Sequence, residues 1–103
     1  MKVRILPSAE QDLEDGADFY ESQEPGVGVF FTDCLIADID SLAFYAGIHE
    51  FYLGFYRTFA KRFPFAIYYK LVYDTAFVYA VLDCRRNTTV IDTVLKRFQQ
   101  GTS

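Results

Sequence analysis

Residues 55–86 read FYRTFAKRFPFAIYYKLVYDTAFVYAVLDCRR, a stretch rich in aromatic and β-branched residues that carries six cations. Aromatic and β-branched residues favour strands, and cations on a sheet are costly unless they face water, a counter-charge or a ligand. Arg57 and Lys61 fall on or just after a first strand, Arg62 in a turn, Lys70 in a second strand, and Arg85 and Arg86 close a third. Only Asp74 and Asp83 oppose them locally. The preceding chain has the opposite sign: residues 1–54 hold eleven acids and two bases, whereas residues 55–103 hold three acids and eight bases. The overall charge of −4 therefore hides an acidic half and a basic half.

A chain of 103 residues allows one small domain with one core. Hydrophobic residues make up 51 %, too many for a disordered chain. Eight Tyr and eleven Phe are more than such a core needs, which leaves some of them near the surface. Either a Tyr-lined sheet face or an exposed patch that a partner covers accounts for them. No apolar run approaches the ~20 residues of a membrane span, and MKVRILP is too short and too alternating for a signal peptide. Cys34 and Cys84 lack metal spacing and read as reduced, buried thiols of a cytoplasmic protein. The acidic balance argues against general nucleic-acid binding without excluding a local basic site.

Lys2–Leu6 alternates as a strand, and Pro7 ends it. Ser8 and Gln11 form a capping-box pattern for a helix to about Ser22. Its apolar stripe is Ala9, Leu13, Ala17 and Tyr20, with Phe19 beside it; its acids read as a solvated face. Gly16 costs roughly 1 kcal/mol in mid-helix unless close packing requires it. Glu24-Pro25-Gly26 breaks the chain, and a second helix runs from about Val27 to Tyr45, stopped by Gly47. A loop with His49 leads to strands at about Gly54–Ala60, Phe63–Tyr73 and Ala76–Asp83, the last two joined by a turn at Asp74-Thr75. Asn87-Thr88-Thr89 then caps a helix at about Thr89–Phe98, followed by a tail, Gln99–Ser103. The order β-α-α-β-β-β-α predicts an α+β fold, a helical hairpin packed on a mostly antiparallel sheet.

That order and several motifs resemble the RelE/ParE superfamily of toxins from type II toxin–antitoxin modules. The motifs are Ala9–Leu13 with Phe19-Tyr20-Glu21, Pro25-Gly26-Val27-Gly28-Val29-Phe30, Tyr56-Arg57, Arg62-Phe63-Pro64-Phe65 with Ile67-Tyr68-Tyr69, and Val78-Tyr79-Ala80-Val81 with Cys84-Arg85-Arg86. The resemblance spans roughly residues 2–98 and is strongest to the plasmid stabilisation protein branch, closer to ParE than to RelE. It implies a toxin domain over residues 1–98. RelE-like members are ribosome-dependent endoribonucleases with Lys and Arg on the sheet and a Tyr near the C-terminus. By resemblance Arg57 takes the place of a sheet lysine, and Arg85 or Arg86 that of the late arginine. The other sheet positions fall on Phe59 and Ala66, and no Tyr follows Tyr79. Where many relatives have a His before the Arg-Arg pair, Asp83-Cys84 stand here; where many have an acid and a Pro after it, Asn87-Thr88 stand here.

ParE-like members resemble binding poisons of DNA gyrase and need no catalytic set, so the departures favour a ParE-like toxin or an inactive binding-only member. The candidate catalytic residues are Arg57, Arg62, Arg85 and Arg86. The resemblance also implies a cognate antitoxin laying apolar segments and acids over Arg57, Lys61, Arg62, Arg85, Arg86, Val94 and Phe98, as a toxin–antitoxin hetero-oligomer or beside a homo-oligomer. No cofactor or metal is expected. Blander roles stay open: Arg57, Lys61 and Arg62 pairing with the acidic first helix, Arg85–Arg86 capping the sheet, His49 as a loop residue, Cys84 as a packed one.

Overall fold

The computed structural model describes residues 1–100. The elements are β1 (Lys2–Ile5), α1 (Pro7–Gln23), α2 (Val27–Asp40), α3 (Leu42–Tyr45), β2 (Glu50–Tyr52), β3 (Phe55–Phe59), β4 (Phe65–Val72), β5 (Thr75–Asp83) and α4 (Thr88–Gln100). The sheet order is β1-β5-β4-β3-β2. All neighbours run antiparallel except β1 and β5, which are parallel. The expected α+β arrangement is present, with α1 and α2 on one face.

Several boundaries differ from the sequence expectation, each for a local reason. Helix α1 starts at Pro7, whose fixed φ suits a first helical position. Ser8 is therefore not its cap; its hydroxyl donates instead to the Tyr79 carbonyl at 2.6 Å. The second helix is broken at Ser41, whose hydroxyl donates back to the Asp38 carbonyl, and continues as the single turn α3. The expected loop after His49 contains the short edge strand β2. The hairpin turn is Tyr73-Asp74, one residue earlier than expected, with Tyr73 at φ 55° and Val72 paired to Thr75. Gln99 and Gln100 belong to α4, and Gln99 Nε2 donates to the Leu53 carbonyl at 3.0 Å. The rest of the expected tail, 101–103, lies outside the described residues.

The hairpin of α1 and α2 is closed by two glycines. A Cβ on Gly16 would lie 2.6 Å from the Phe31 ring, and one on Gly28 would lie 2.6 Å from the Ala17 carbonyl oxygen. The helix-propensity cost of Gly16 is thus the condition for seating Phe31. Phe31, Leu35, Ile39 and Leu42 pack with Ala9 and Leu13 onto Ile67, Tyr69, Val78 and Val81 of the sheet. Glu21 is not simply solvated: its carboxylate accepts from the Gly26 and Gly28 N–H groups and caps the start of α2.

Helix α4 covers part of the opposite face. Ile91 and Leu95 pack on Phe55, Ala66, Tyr68, Ala80 and Leu82. Its N-terminus is capped as expected, by Asn87 Oδ1 accepting from Thr89 N–H at 2.8 Å.

Between the faces, β5 carries a bulge. Tyr68 pairs with Ala80 and Tyr69 with Val78, so Tyr79 has no partner across β4. Tyr79 and Ala80 both turn towards α4, while Val78 and Val81 face α1 and α2. The outer edge of β5 beyond β1 is sealed by α1 side chains: Ser8 takes the Tyr79 carbonyl, and Asp12 accepts from Val81 N–H at 2.9 Å. Asp12 is thus not one of a row of solvated acids. Among the described residues, no helix is long and apolar enough to cross a membrane.

Candidate functional site

Arg57 stands in the middle of β3, directly opposite Glu50 on one side and Tyr68 on the other. All three project from the face that α4 half covers. That face is covered at one end and open at the other: Phe55 is 0 % exposed beneath α4, whereas Phe59, two residues beyond Arg57, is 54 % exposed. Arg57 lies at the edge between the covered and open parts.

The guanidinium is held from several directions. Its carbon lies 4.4 Å from the centre of the Tyr52 ring and 5.1 Å from that of Phe59. Glu50 accepts from Nη2 in an ion pair, so Arg57 takes its counter-charge from β2 rather than from α1. Nε is buried and has no hydrogen-bond partner. Desolvation works against the charge, but hydrogen bonding and charge from Glu50, assisted by Tyr68, outweigh it and hold the pKa above its ordinary value. Burial pushes the Tyr68 hydroxyl up. Tyr52 donates to Asp92 Oδ1 of α4 at 2.6 Å, which raises its pKa and ties β2 to the helix. Tyr52, Arg57, Phe59, Tyr68, Cys84, Thr88 and Ile91 line a cleft of about 160 Å³. Cys84 is exposed, not buried as the sequence suggested, and Cys34 is half-buried.

The other candidate cations lie elsewhere. Lys61 and Arg62 sit in the β3–β4 loop against α2: Lys61 N–H donates to Asp38 Oδ2 at 3.0 Å, and Arg62 borders a surface depression with Phe30, Asp33 and Asp38. Arg85 forks onto Asp83, with Nε 3.0 Å from Oδ1 and Nη2 2.7 Å from Oδ2, and also reaches the Tyr20 hydroxyl of α1 at 3.4 Å. Asp83 is held below its ordinary pKa chiefly by this hydrogen bond. Arg86 borders a cleft with Asp12, Asp15, Phe19 and Asp83. Arg62, Arg85 and Arg86 thus belong to the helical side of the sheet, and Arg57 to the α4 side. Val94 and Phe98 are half-buried and pack against the protein's own sheet, Phe98 against Phe55 and Tyr79.

Lys70, on β4, lies 4.7 Å from the Phe55 ring and 5.3 Å from the Tyr79 ring, so aromatic faces accommodate it. His49 is a loop residue whose Nδ1 is hydrogen-bonded to the Tyr69 hydroxyl, which also accepts from Gly47 N–H at 2.9 Å. Burial lowers the His49 pKa, in keeping with a neutral ring accepting the Tyr69 proton. Among the described residues, no group of three or more His, Cys, Asp or Glu is placed to hold a metal ion.

Glu50, Tyr52, Tyr68 and Thr88 complete the Arg57 site; Tyr68 and Thr88 stand in stretches noted in the sequence, but none of the four was named there as a site residue. The shared parity of Phe55, Arg57 and Phe59 was the available signal. It gives the side of β3 but not the strands that flank it.

The fold can be placed among known structures. A solved chain from the chromosomal ParDE TA system from P. aeruginosa superposes with a TM-score of 0.71 over 79 % of this chain and 92 % of that one, at 15 % sequence identity. The fold is RelE/ParE-like. No protein-family model matches the chain, and no curated protein matches it. What this chain shares with the ParDE chain is therefore the architecture. Its cations must be judged by where the architecture puts them.

Proposed function

We propose that this protein is the toxin subunit of a type II toxin–antitoxin module, cytoplasmic and ParE-like, which acts by binding a target such as DNA gyrase and is neutralised by a cognate antitoxin. The observation that carries this reading is the match to the ParDE chain over almost the whole of that chain's length. Two features of the molecule support binding over RNA cleavage. The Arg57 cleft holds one cation, with Phe59 and Ala66 at the positions where the RelE resemblance calls for further cationic groups. Of the other polar groups that line it, Tyr52 has its pKa raised chiefly by the hydrogen bond to Asp92, Tyr68 and Cys84 have theirs raised by desolvation (Cys84 although part of it reaches the surface), and Thr88 is a neutral hydroxyl, so none is poised as a base. The exposed rings of Phe19, Phe30, Phe44, Phe51 and Phe59 supply apolar area for a protein partner. Lys61, Arg62, Arg85 and Arg86, on the helical rim, are the residues proposed to meet its acids.

The test is induction of the protein alone in a bacterial culture, with DNA supercoiling and message integrity read from the same cells. Growth arrest with altered supercoiling and intact messages is expected. Arrest with cut messages would replace this reading by the endoribonuclease one. Normal growth with a folded, abundant product would replace it by a binding module without toxicity.

A further inference from the structure

We propose that the cleft over Arg57 is a binding site for a single two-oxygen anionic group, a carboxylate or a phosphoryl group, and that Glu50 is its built-in, displaceable occupant. The site does not depend on the protein's cellular target. A guanidinium presents Nε–H and one Nη–H along the same edge, and that edge matches two oxygens of one anion. Here Nη2 bonds to Glu50 Oε1, while Nε on the same arginine is buried and meets no acceptor in hydrogen-bonding geometry, the nearby Tyr68 hydroxyl favouring the charge without satisfying that donor. It is the only buried side-chain nitrogen or oxygen left so among the described residues. Leaving a buried donor on a cation unpaired is costly, and a native structure keeps such a group only for a reason.

The surroundings fit an anion that comes and goes. Tyr52 and Phe59 hold the guanidinium plane, so the donor edge is fixed before anything binds. The Tyr68 hydroxyl and Thr88 border the same cleft and add hydroxyl donors. Glu50 belongs to a three-residue strand at the sheet edge, and its side chain is 61 % exposed, so it can turn into solvent without disturbing the core. The cleft, about 160 Å³, is smaller than the roughly 300–1,000 Å³ of sites that enclose a whole small molecule. It suits one anionic group at the end of a larger partner or ligand.

The experiment follows the Arg57 side-chain Nε–H signal and the backbone amide of Thr88 by NMR in the full chain. Sodium acetate and inorganic phosphate are titrated separately at constant ionic strength. In Glu50→Gln a saturable shift at Arg57 is expected, with half-saturation at roughly one-tenth of the wild-type concentration, since an internal competitor reduces the binding-competent fraction. Glu50→Ala should behave alike. Response to both anions identifies a general carboxylate-competent site; response to phosphate alone identifies a phosphoryl site; either supports the proposal. In the double variant Glu50→Gln/Arg57→Lys the Thr88 response should vanish. No saturable shift in either Glu50 variant, equal affinity in wild type and Glu50→Gln, or a Thr88 response that survives Arg57→Lys would each overturn it.

Discussion

Asp12 is a carboxylate placed where a strand edge needs an acceptor. Burial lifts its pKa from 3.8 to about 6, against the lowering effect of the Val81 N–H and of Arg86. Because the folded-state value is the higher one, the folded chain holds this proton more tightly than the unfolded chain. The contribution to stability is full below about pH 3.8 and is lost as pH rises through about 6. Asp12→Asn keeps an acceptor for Val81 without the charge. It should leave stability nearly unchanged at pH 4 and raise it by about 1–2 kcal/mol at pH 8, the full shift being discounted for partial exposure. Urea denaturation at the two pH values checks this. Tyr69→Phe should act in the opposite sense. It strands Gly47 N–H and His49 and should cost about 1–3 kcal/mol, read as a lower urea midpoint with an unchanged slope. At this scale the sequence was half legible. Arg57 stands out by its charge and parity, and Asn87 by its capping position. Glu50, Tyr52 and Tyr68 do not, because what makes them part of a site is a pairing across three strands, and register is not written in any one of them.

Between α1 and α2 the backbones approach more closely than side chains allow. Gly28→Ala would gain roughly 1 kcal/mol of helix propensity, yet its Cβ would meet the Ala17 carbonyl at 2.6 Å. A backbone atom cannot rotate away as a side chain can, so the clash should win, with a net loss of about 1–3 kcal/mol in a denaturant titration. On the other face, Leu95 is fully buried under α4. Leu95→Ala should cost about 2–5 kcal/mol and should accelerate amide exchange in α4 before the sheet opens. The helices were legible from their apolar stripes, and the three long strands from their aromatic and β-branched runs. Two features were not. Strand β2 has three residues, too few for a period. Strand β5 reads Thr-Ala-Phe-Val-Tyr-Ala-Val-Leu-Asp, apolar on both faces because helices cover both, so alternation could not reveal the bulge or place α4 opposite the hairpin.

For the whole molecule the sequence promised one basic region and one acidic region, and folding rearranges both. Asp38 of α2 accepts from the Lys61 backbone N–H, Asp83 pairs with Arg85, and Glu50 crosses from the acidic half to Arg57. The remaining cations are divided between two sides of the sheet. If a partner lies along the helical rim, Arg62→Glu with Arg85→Glu should weaken its capture at least about tenfold, equivalent to roughly 1.4 kcal/mol, and should steepen the loss with salt less than in wild type. Arg57→Lys should leave that capture within about twofold, because its loss is felt on the other face; pull-down titration with the co-expressed partner measures both.

The bulge at Tyr79 sets the sidedness of the end of β5. Past it, Val81 faces the helical hairpin while Ala80 and Leu82 face α4, and Asp83 still arrives opposite Phe65. The extra residue therefore works as a spare link in the chain: a strand that holds one can lose a residue there by straightening, without moving the corner that follows it.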